Sequence, residues 1–174
     1  MIGLDKMLGN VAIDPARFRK TLGHFCTGIV VITSHDCGQP VGFTAQSLVS
    51  LSLDPPLVGF SPSKTSETWP RLRNAKRFCI NILGDDQRDI CNAFSRRADD
   101  RFANIGWSNC GSGLPVLDGA LAYISCNLES EHDTGDHFFV VGAVKELEIL
   151  RPENEPLLFF RGEIRPGLRA NHQG

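Results

Sequence analysis

A chain of 174 residues is long enough for one domain with a sizeable core, and eleven Phe supply large apolar plugs for it. Eighteen Lys and Arg against twenty Asp and Glu leave a net charge of −2, with signs mixed along the chain, which removes the electrostatic case for a nucleic-acid partner. No apolar run approaches the roughly 18 residues of a membrane span, and Met1-Ile2-Gly3-Leu4-Asp5-Lys6 does not open a signal peptide, so a cytoplasmic protein without a membrane partner is expected.

Residues 1–13 read as a loose leader. Asp14-Pro15 is a helix start, Asp as N-cap and Pro in the first turn, and Phe18, Leu22 and Phe25 recur at helical spacing, which predicts an amphipathic helix from Asp14 to Phe25. Thr27-Gly28 breaks it. Ile29 to Ser34 is β-branched and reads as a buried strand, turned by His35-Asp36-Cys37-Gly38 into a return strand from Pro40 to Ala45. Leu48 to Leu53 alternates Leu or Val with Ser, the period of a strand with one wet face, and Leu57 to Ser61 follows the Pro55-Pro56 turn as another. A short helix is expected over Ser66 to Ala75, with Ser66 as N-cap, then a strand over Arg77 to Leu83 and a second amphipathic helix over Asp85 to Phe94. Residues 95–118 read as a polar loop with a helical turn near Asp100. Strands are expected over Leu121 to Glu131, His137 to Ile149 and Pro156 to Arg161, the first two joined by a tight turn at His132 to Asp136. Residues 166–174 read as a mobile tail.

Six or seven short strands joined mostly by turns, with two or three helices, make a β-dominated α+β domain over residues 14–165. Antiparallel pairing that curls towards a barrel is the expected architecture, because a doubly wound sheet needs a crossover helix after most strands.

Several kinds of chemistry drop out. Gly111-Ser112-Gly113 is a lone G-x-G with Pro115 where a dinucleotide fold starts a helix, and it reads as a loop. The five His and six Cys show no metal-ligand spacing and no C-x-x-C pair, so no metal is expected and the thiols read as structural or incidental. Two places carry more. Val41 to Thr68 runs from a polar strand edge into Ser61, Ser63, Lys64, Thr65, Ser66 and Thr68 ahead of a helix. That is either an ordinary capped turn or a phosphate site built of hydroxyls, one lysine and helix-start N–H groups, suited to a phosphorylated, ring-bearing ligand. Thr134-Gly135-Asp136-His137 is either a plain hairpin turn or a turn that projects His137 into a cleft.

The segments FRKTLGHFCTGIVVIT at 18–33, VGFTAQSL at 41–48, SLSLDPPLV at 50–58, RFCINIL at 77–83, RFA at 101–103, GDHF at 135–138 and LLFFRG at 157–162 stand in an order and spacing that resemble the short-chain flavin reductases, the reductase components of two-component monooxygenases. The resemblance spans about Pro15 to Gly162. It implies an antiparallel split β-barrel of the flavin-binding type, a homodimer, and NADH- or NADPH-dependent reduction of FMN or FAD that then leaves for a separate monooxygenase. It implies flavin contacts at Phe43, Thr44, Gln46, Ser47, Ser61, Pro62, Ser63, Ser66, Glu67, Thr68, Ala93 and Phe94. It places His137, as a positioning group, with Phe160 and Arg161 on the nicotinamide side. Glu67 departs from what a phosphate site wants, and its side chain is expected to point away. Hydride transfer between two cofactors asks the protein for stacking and charge stabilisation, with hydroxyls such as those of Thr44 and Ser47 suited to the negative charge that develops on the ring, and asks for no acid–base pair. A non-enzymatic flavin-binding protein on the same fold, or a flavoenzyme that keeps its flavin, are the competing readings.

Overall fold

In the computed structural model, which describes residues 13–97 and 100–167, the Asp14 carboxylate accepts the backbone N–H groups of Ala16 (3.3 Å) and Arg17 (2.9 Å) and starts helix α1 (Pro15–Leu22). Most of the expected leader and tail lie outside the described residues. Helix α1 stops at Gly23, short of Phe25, and buries nothing: Phe18, Leu22 and Phe25 are 52%, 55% and 75% exposed. The helical spacing makes a helix, but its apolar stripe faces outward rather than into the core.

The chain then forms β1 (Thr27–Gly28), β2 (Val30–Asp36), β3 (Gln39–Ala45), β4 (Val49–Leu53), β5 (Pro56–Phe60), α2 (Trp69–Ala75), β6 (Arg77–Ile82), α3 (Arg88–Ser95), β7 (Trp107–Asn109), β8 (Pro115–Leu117), β9 (Ala122–Thr134), β10 (His137–Ile149), β11 (Leu157–Phe160) and β12 (Glu163–Pro166). Residues 107–117, expected as loop, are a small hairpin whose strands are too short to show a period. Gly113, at φ +71°, closes its turn, and the Gly113 N–H donates to the Cys110 carbonyl at 2.8 Å. β12 is charged and short, legible only through its pairing with β11, and it takes in Pro166, where the tail was expected to begin. Helices α2 and α3 start later than their sequence signals. Ahead of α3 the Asp85 N–H goes to the Glu155 carbonyl (2.9 Å), and the buried Gln87 side chain accepts from the Gly84 N–H (3.0 Å) and donates to the Asp118 carbonyl (2.9 Å), which holds the segment off the helix.

Every paired strand is antiparallel. The large sheet runs β3-β2-β6-β9-β10-β5-β4, and β1-β11-β12 form a second, smaller sheet. Laid flat, seven strands would hold the two edges about 29 Å apart. Yet only Gln46, Ser47 and Leu48 join edge β3 to edge β4, a link that reaches at most about 14 Å from Ala45 to Val49. The sheet therefore curls until its edges face each other across a slit without hydrogen-bonding: a split barrel. Bulges between Val141 and Gly142 and between Val144 and Glu146 supply part of the bend. Gly142 is needed there, since a Cβ on it would sit 2.7 Å from the Phe78 ring.

Strand β2 is buried on both faces, which explains its unbroken run of β-branched residues. Val30 and Ile32 join Phe60, Trp69 and Phe78 inside the curl, where the Phe60 ring meets Trp69 and Phe78 edge-on at 5.5 and 5.2 Å. Val31 joins Leu83, Phe94, Leu117 and Leu157 in a second core beneath the small sheet. Each large side chain so buried contributes about 1.5–3 kcal/mol. Asn81, fully buried, donates to the Val31 carbonyl (3.2 Å) and Thr33 Oγ1 (3.0 Å) and accepts the Leu117 N–H (2.8 Å), so its polar atoms are satisfied and the β7–β8 hairpin is tied to the sheet. All six cysteines are free; burial holds Cys79, Cys91 and Cys126 as protonated thiols, Cys126 pushed up to about 12. Among the described residues no helix is long and apolar enough to cross a membrane.

The turn of the β7–β8 hairpin rests on Glu146. Its carboxylate accepts the Tyr123 hydroxyl (2.6 Å), the Ser112 N–H (2.8 Å), the Gly111 N–H (3.1 Å) and the Ser112 hydroxyl, donors that bring its pKa down to about 2, the Ser112 and Tyr123 hydroxyls first. A carboxyl held below its unfolded pKa stabilises the fold above the usual carboxylate range and loses that contribution as pH falls towards 2. Urea unfolding of wild type and Glu146→Gln is expected to show wild type more stable at pH 7, with the difference shrinking between pH 5 and 3; a difference independent of pH would refute the assignment.

Candidate functional site

The slit of the barrel becomes a cleft where the β3–β4 link meets the end of β5. Ser47 Oγ accepts the Ser61 N–H at 2.8 Å and fixes that junction. The β9–β10 hairpin tip docks on the same place: the Phe138 N–H donates to the Pro62 carbonyl and the Lys64 N–H to the Asp136 carbonyl, each at 3.0 Å, and Ser63 pairs with His137 as an isolated bridge. Gly135, at φ +71°, makes the tip tight enough for this. The result is an open cleft of about 420 Å³ lined by Phe43, Thr44, Gln46, Ser47, Ser61, Pro62, Ser63, Ser66 and His137, with Ala45 between them. The His137 side chain is 44% exposed, and its Nδ1 sits 2.7 Å from the Asp136 carboxylate, which orients the ring. The same contact holds the Asp136 carboxyl below its ordinary range.

A second, more polar cleft of about 240 Å³ continues from the first, sharing Phe43, Thr44 and Ser66 and adding Thr65, Glu67, Thr68, Phe94, Ser95, Arg97 and Arg101. Arg101 is half-buried. One Nη donates to the Gly42 carbonyl (2.6 Å) and to Thr68 Oγ1 (2.8 Å), both neutral acceptors, and burial pulls its pKa down, the mark of a cation short of solvent.

The structure thus brings together twelve of the fifteen sequence-derived positions, Phe43 through Thr68 with Phe94 and His137, along two confluent clefts. Three do not join them. Ala93 lies on α3 beside Phe94 but borders neither cleft. Whereas His137 opens β10 in the large sheet, Phe160 and Arg161 stand on and just after β11 in the small one. There the Arg161 and Arg165 guanidinium groups lie 4.9 and 5.8 Å from the Phe160 ring, and the Arg161 N–H donates to the Gly23 carbonyl (2.8 Å). Strand alternation decides the matter: Phe159, one residue earlier, borders a hollow of about 210 Å³ with Thr44, Ala45 and Gln46, so Phe160 faces the other way.

Three further readings change with the structure. Lys64, the cation in the phosphate-site alternative, has its ammonium 2.5 Å from Asp133 and lines neither cleft. The cations that do line the second cleft are Arg97 and Arg101; the R-F-A segment carried Arg101 in the sequence without marking a role. The helix-start N–H groups expected at Ser66 are not there, since α2 begins at Trp69 and Ser66 Oγ takes the Trp69 N–H (3.0 Å). The Thr44 hydroxyl is committed to the Cys91 carbonyl (3.0 Å), whereas Ser47, an acceptor from Ser61, keeps its own proton free to donate.

Residues 22–168 match the flavin reductase like domain. The chain belongs to that family. The reductase subunit HsaB of the flavin-dependent monooxygenase of Rhodococcus jostii (strain RHA1) is 50% identical over 152 residues, 87% of this chain and 77% of that protein. A flavin reductase of Pseudomonas putida is 40% identical over 152 residues, 87% of this chain and 89% of that protein. Among solved structures, a nitrilotriacetate monooxygenase component B homologue from Mycobacterium thermoresistibile superposes with a TM-score of 0.84 at 43% identity, covering 94% of this chain and 96% of that one. The Streptomyces globisporus NADH:FAD oxidoreductase SgcE6, in complex with NAD and FAD fragments, does so with a TM-score of 0.85 at 30% identity, covering 91% and 95%. The side chains of this flavin reductase-like chain fit a flavin nucleotide. The first cleft offers the Phe43 and Pro62 faces and the Ser47 hydroxyl to a flat ring with polar edges, and the second offers hydroxyls and Arg101 to a phosphate.

Proposed function

We propose that this chain is an NAD(P)H:flavin oxidoreductase, which reduces FMN or FAD with a hydride from NADH or NADPH and releases the reduced flavin to a separate monooxygenase. The observation that carries this is the pair of confluent open clefts, hydroxyl-lined with Arg101 at one end and His137 at the lip of the other. The names borne by its relatives, reductase subunits of monooxygenases and an NADH:FAD oxidoreductase, support the same reading. When bound, a flavin supplies the redox chemistry by accepting the hydride. The protein's part is placement. Ser47 Oγ, fixed by the Ser61 N–H, presents a donor to a ring edge that gains negative charge. Arg101 and the hydroxyls of Ser66 and Thr68 anchor the phosphate end. His137, held by Asp136, positions the nicotinamide at the open lip.

A homodimer in the cytoplasm completes the proposal. The exposed apolar residues Phe18, Leu22 and Phe25 around α1, and Val49, Leu51 and Leu53 on edge β4, favour a second copy, and six free thiols suit a reducing compartment. The test is a steady-state assay of NADH and NADPH against FMN, FAD and riboflavin in excess, on dialysed protein. Many turnovers per protein molecule are expected. A perturbed flavin spectrum without nicotinamide consumption would replace the enzyme by a flavin store, and flavin that stays stoichiometrically bound through dialysis would replace release by a resident cofactor.

A further inference from the structure

The second cleft holds an acid where a phosphate is to sit. Glu67 Oε1 lies 3.4 Å from Arg97 Nη1, and the two side chains are 75% and 77% exposed at the rim, while Arg101 lies deeper. Arg97 and Arg101 against Glu67 leave a single net positive charge among the described residues lining the cleft. A terminal flavin phosphate carries close to two negative charges near neutral pH. Arg101 has a fixed place, set by its bonds to Gly42 and Thr68. Arg97 does not, and its ionic partner is Glu67.

From this arrangement we infer that Glu67 is a specificity-determining residue that keeps the flavin phosphate weakly held: it occupies Arg97, so that of the two arginines lining the cleft only Arg101 joins the hydroxyls in holding the phosphate. The inference rests on the flavin reading above. It accounts for an acid in an anion site without requiring its side chain to turn away. It also supplies a physical basis for a grip loose enough to let reduced flavin leave, because an exposed ion pair weakens phosphate binding by a modest factor and does not abolish it.

The test is fluorescence titration of FMN and riboflavin against wild type, Glu67→Gln, Arg97→Gln and the double variant at low salt. Both positions are on the surface, so the variants keep the fold. Glu67→Gln is expected to tighten FMN about three- to fivefold and to change riboflavin less than twofold, with the gain fading towards about 0.5 M salt as screening grows. In the Arg97→Gln background the FMN gain should fall below twofold, because the arginine that Glu67 releases is gone. Equal changes for both flavins, a weaker FMN, or a gain undiminished without Arg97 would each overturn the inference. Wild type that binds neither flavin would fell the flavin reading, and this inference with it, a result distinct from all of these.

Discussion

Arg101→Ala is expected to weaken FMN binding by about tenfold or more while riboflavin loses far less, because a guanidinium-to-phosphate contact is worth about 1.5–3 kcal/mol and the half-buried site places Arg101 near the lower end. The substitution also leaves the Gly42 carbonyl and the Thr68 hydroxyl without their partner, at a cost to stability of about 1–2 kcal/mol, read as a fall in Tm of a few degrees. Arg101→Lys separates the two effects. It keeps the charge but has no counterpart of the Nε donor that holds the Arg96 carbonyl (2.9 Å), and its one ammonium must serve Gly42, Thr68 and the phosphate together, so it should restore part of the preference for FMN over riboflavin and less of the stability. If FMN and riboflavin weaken by the same factor in Arg101→Ala, the residue acts through the fold and not on phosphate.

His137→Ala is the second large effect. With the ring held by Asp136 at the lip of the first cleft, its loss should raise KM for the reduced nicotinamide about tenfold, the worth of one oriented contact, and leave the flavin Kd within about twofold. Asp136→Asn keeps the imidazole and weakens only its orientation, so a smaller rise in KM is expected. The measurements are initial rates at varied nicotinamide and separate flavin titrations. Equal losses of nicotinamide and flavin affinity would show that His137 belongs to the flavin cleft as a whole.

Most of the ligand-facing positions stand in one stretch of sequence, 43 to 68, because the two edges of the sheet are consecutive strands and their short link is itself the wall of the cleft. Local pattern suffices for such a site. It does not suffice for Arg101, whose neighbours Gly42 and Thr68 are distant in the chain, nor for Lys64, whose attachment to Asp133 depends on where the β9–β10 hairpin docks. Phe160 stands apart from the clefts for a simpler reason: a β-strand offers adjacent residues to opposite faces, and which face looks at the cleft follows from the pairing of β11 between β1 and β12.

The N-cap at Asp14, the hairpins at Cys37-Gly38 and Gly135-Asp136 and the strand runs of β2, β6 and β10 were determined by sequence alone, since each depends on residues within a few positions of one another. The outward face of α1, the delayed start of α2 and α3, the β7–β8 and β11–β12 pairs and the cation of the second cleft were decided only by tertiary structure. For the start of α3, the β7–β8 hairpin, strand β11 and Arg101 the deciding hydrogen bonds join segments far apart in the chain (Asp85 to Glu155, Leu117 to Asn81, β11 to β1, Arg101 to Gly42), so their energy exists only once the sheet has curled and brought them together.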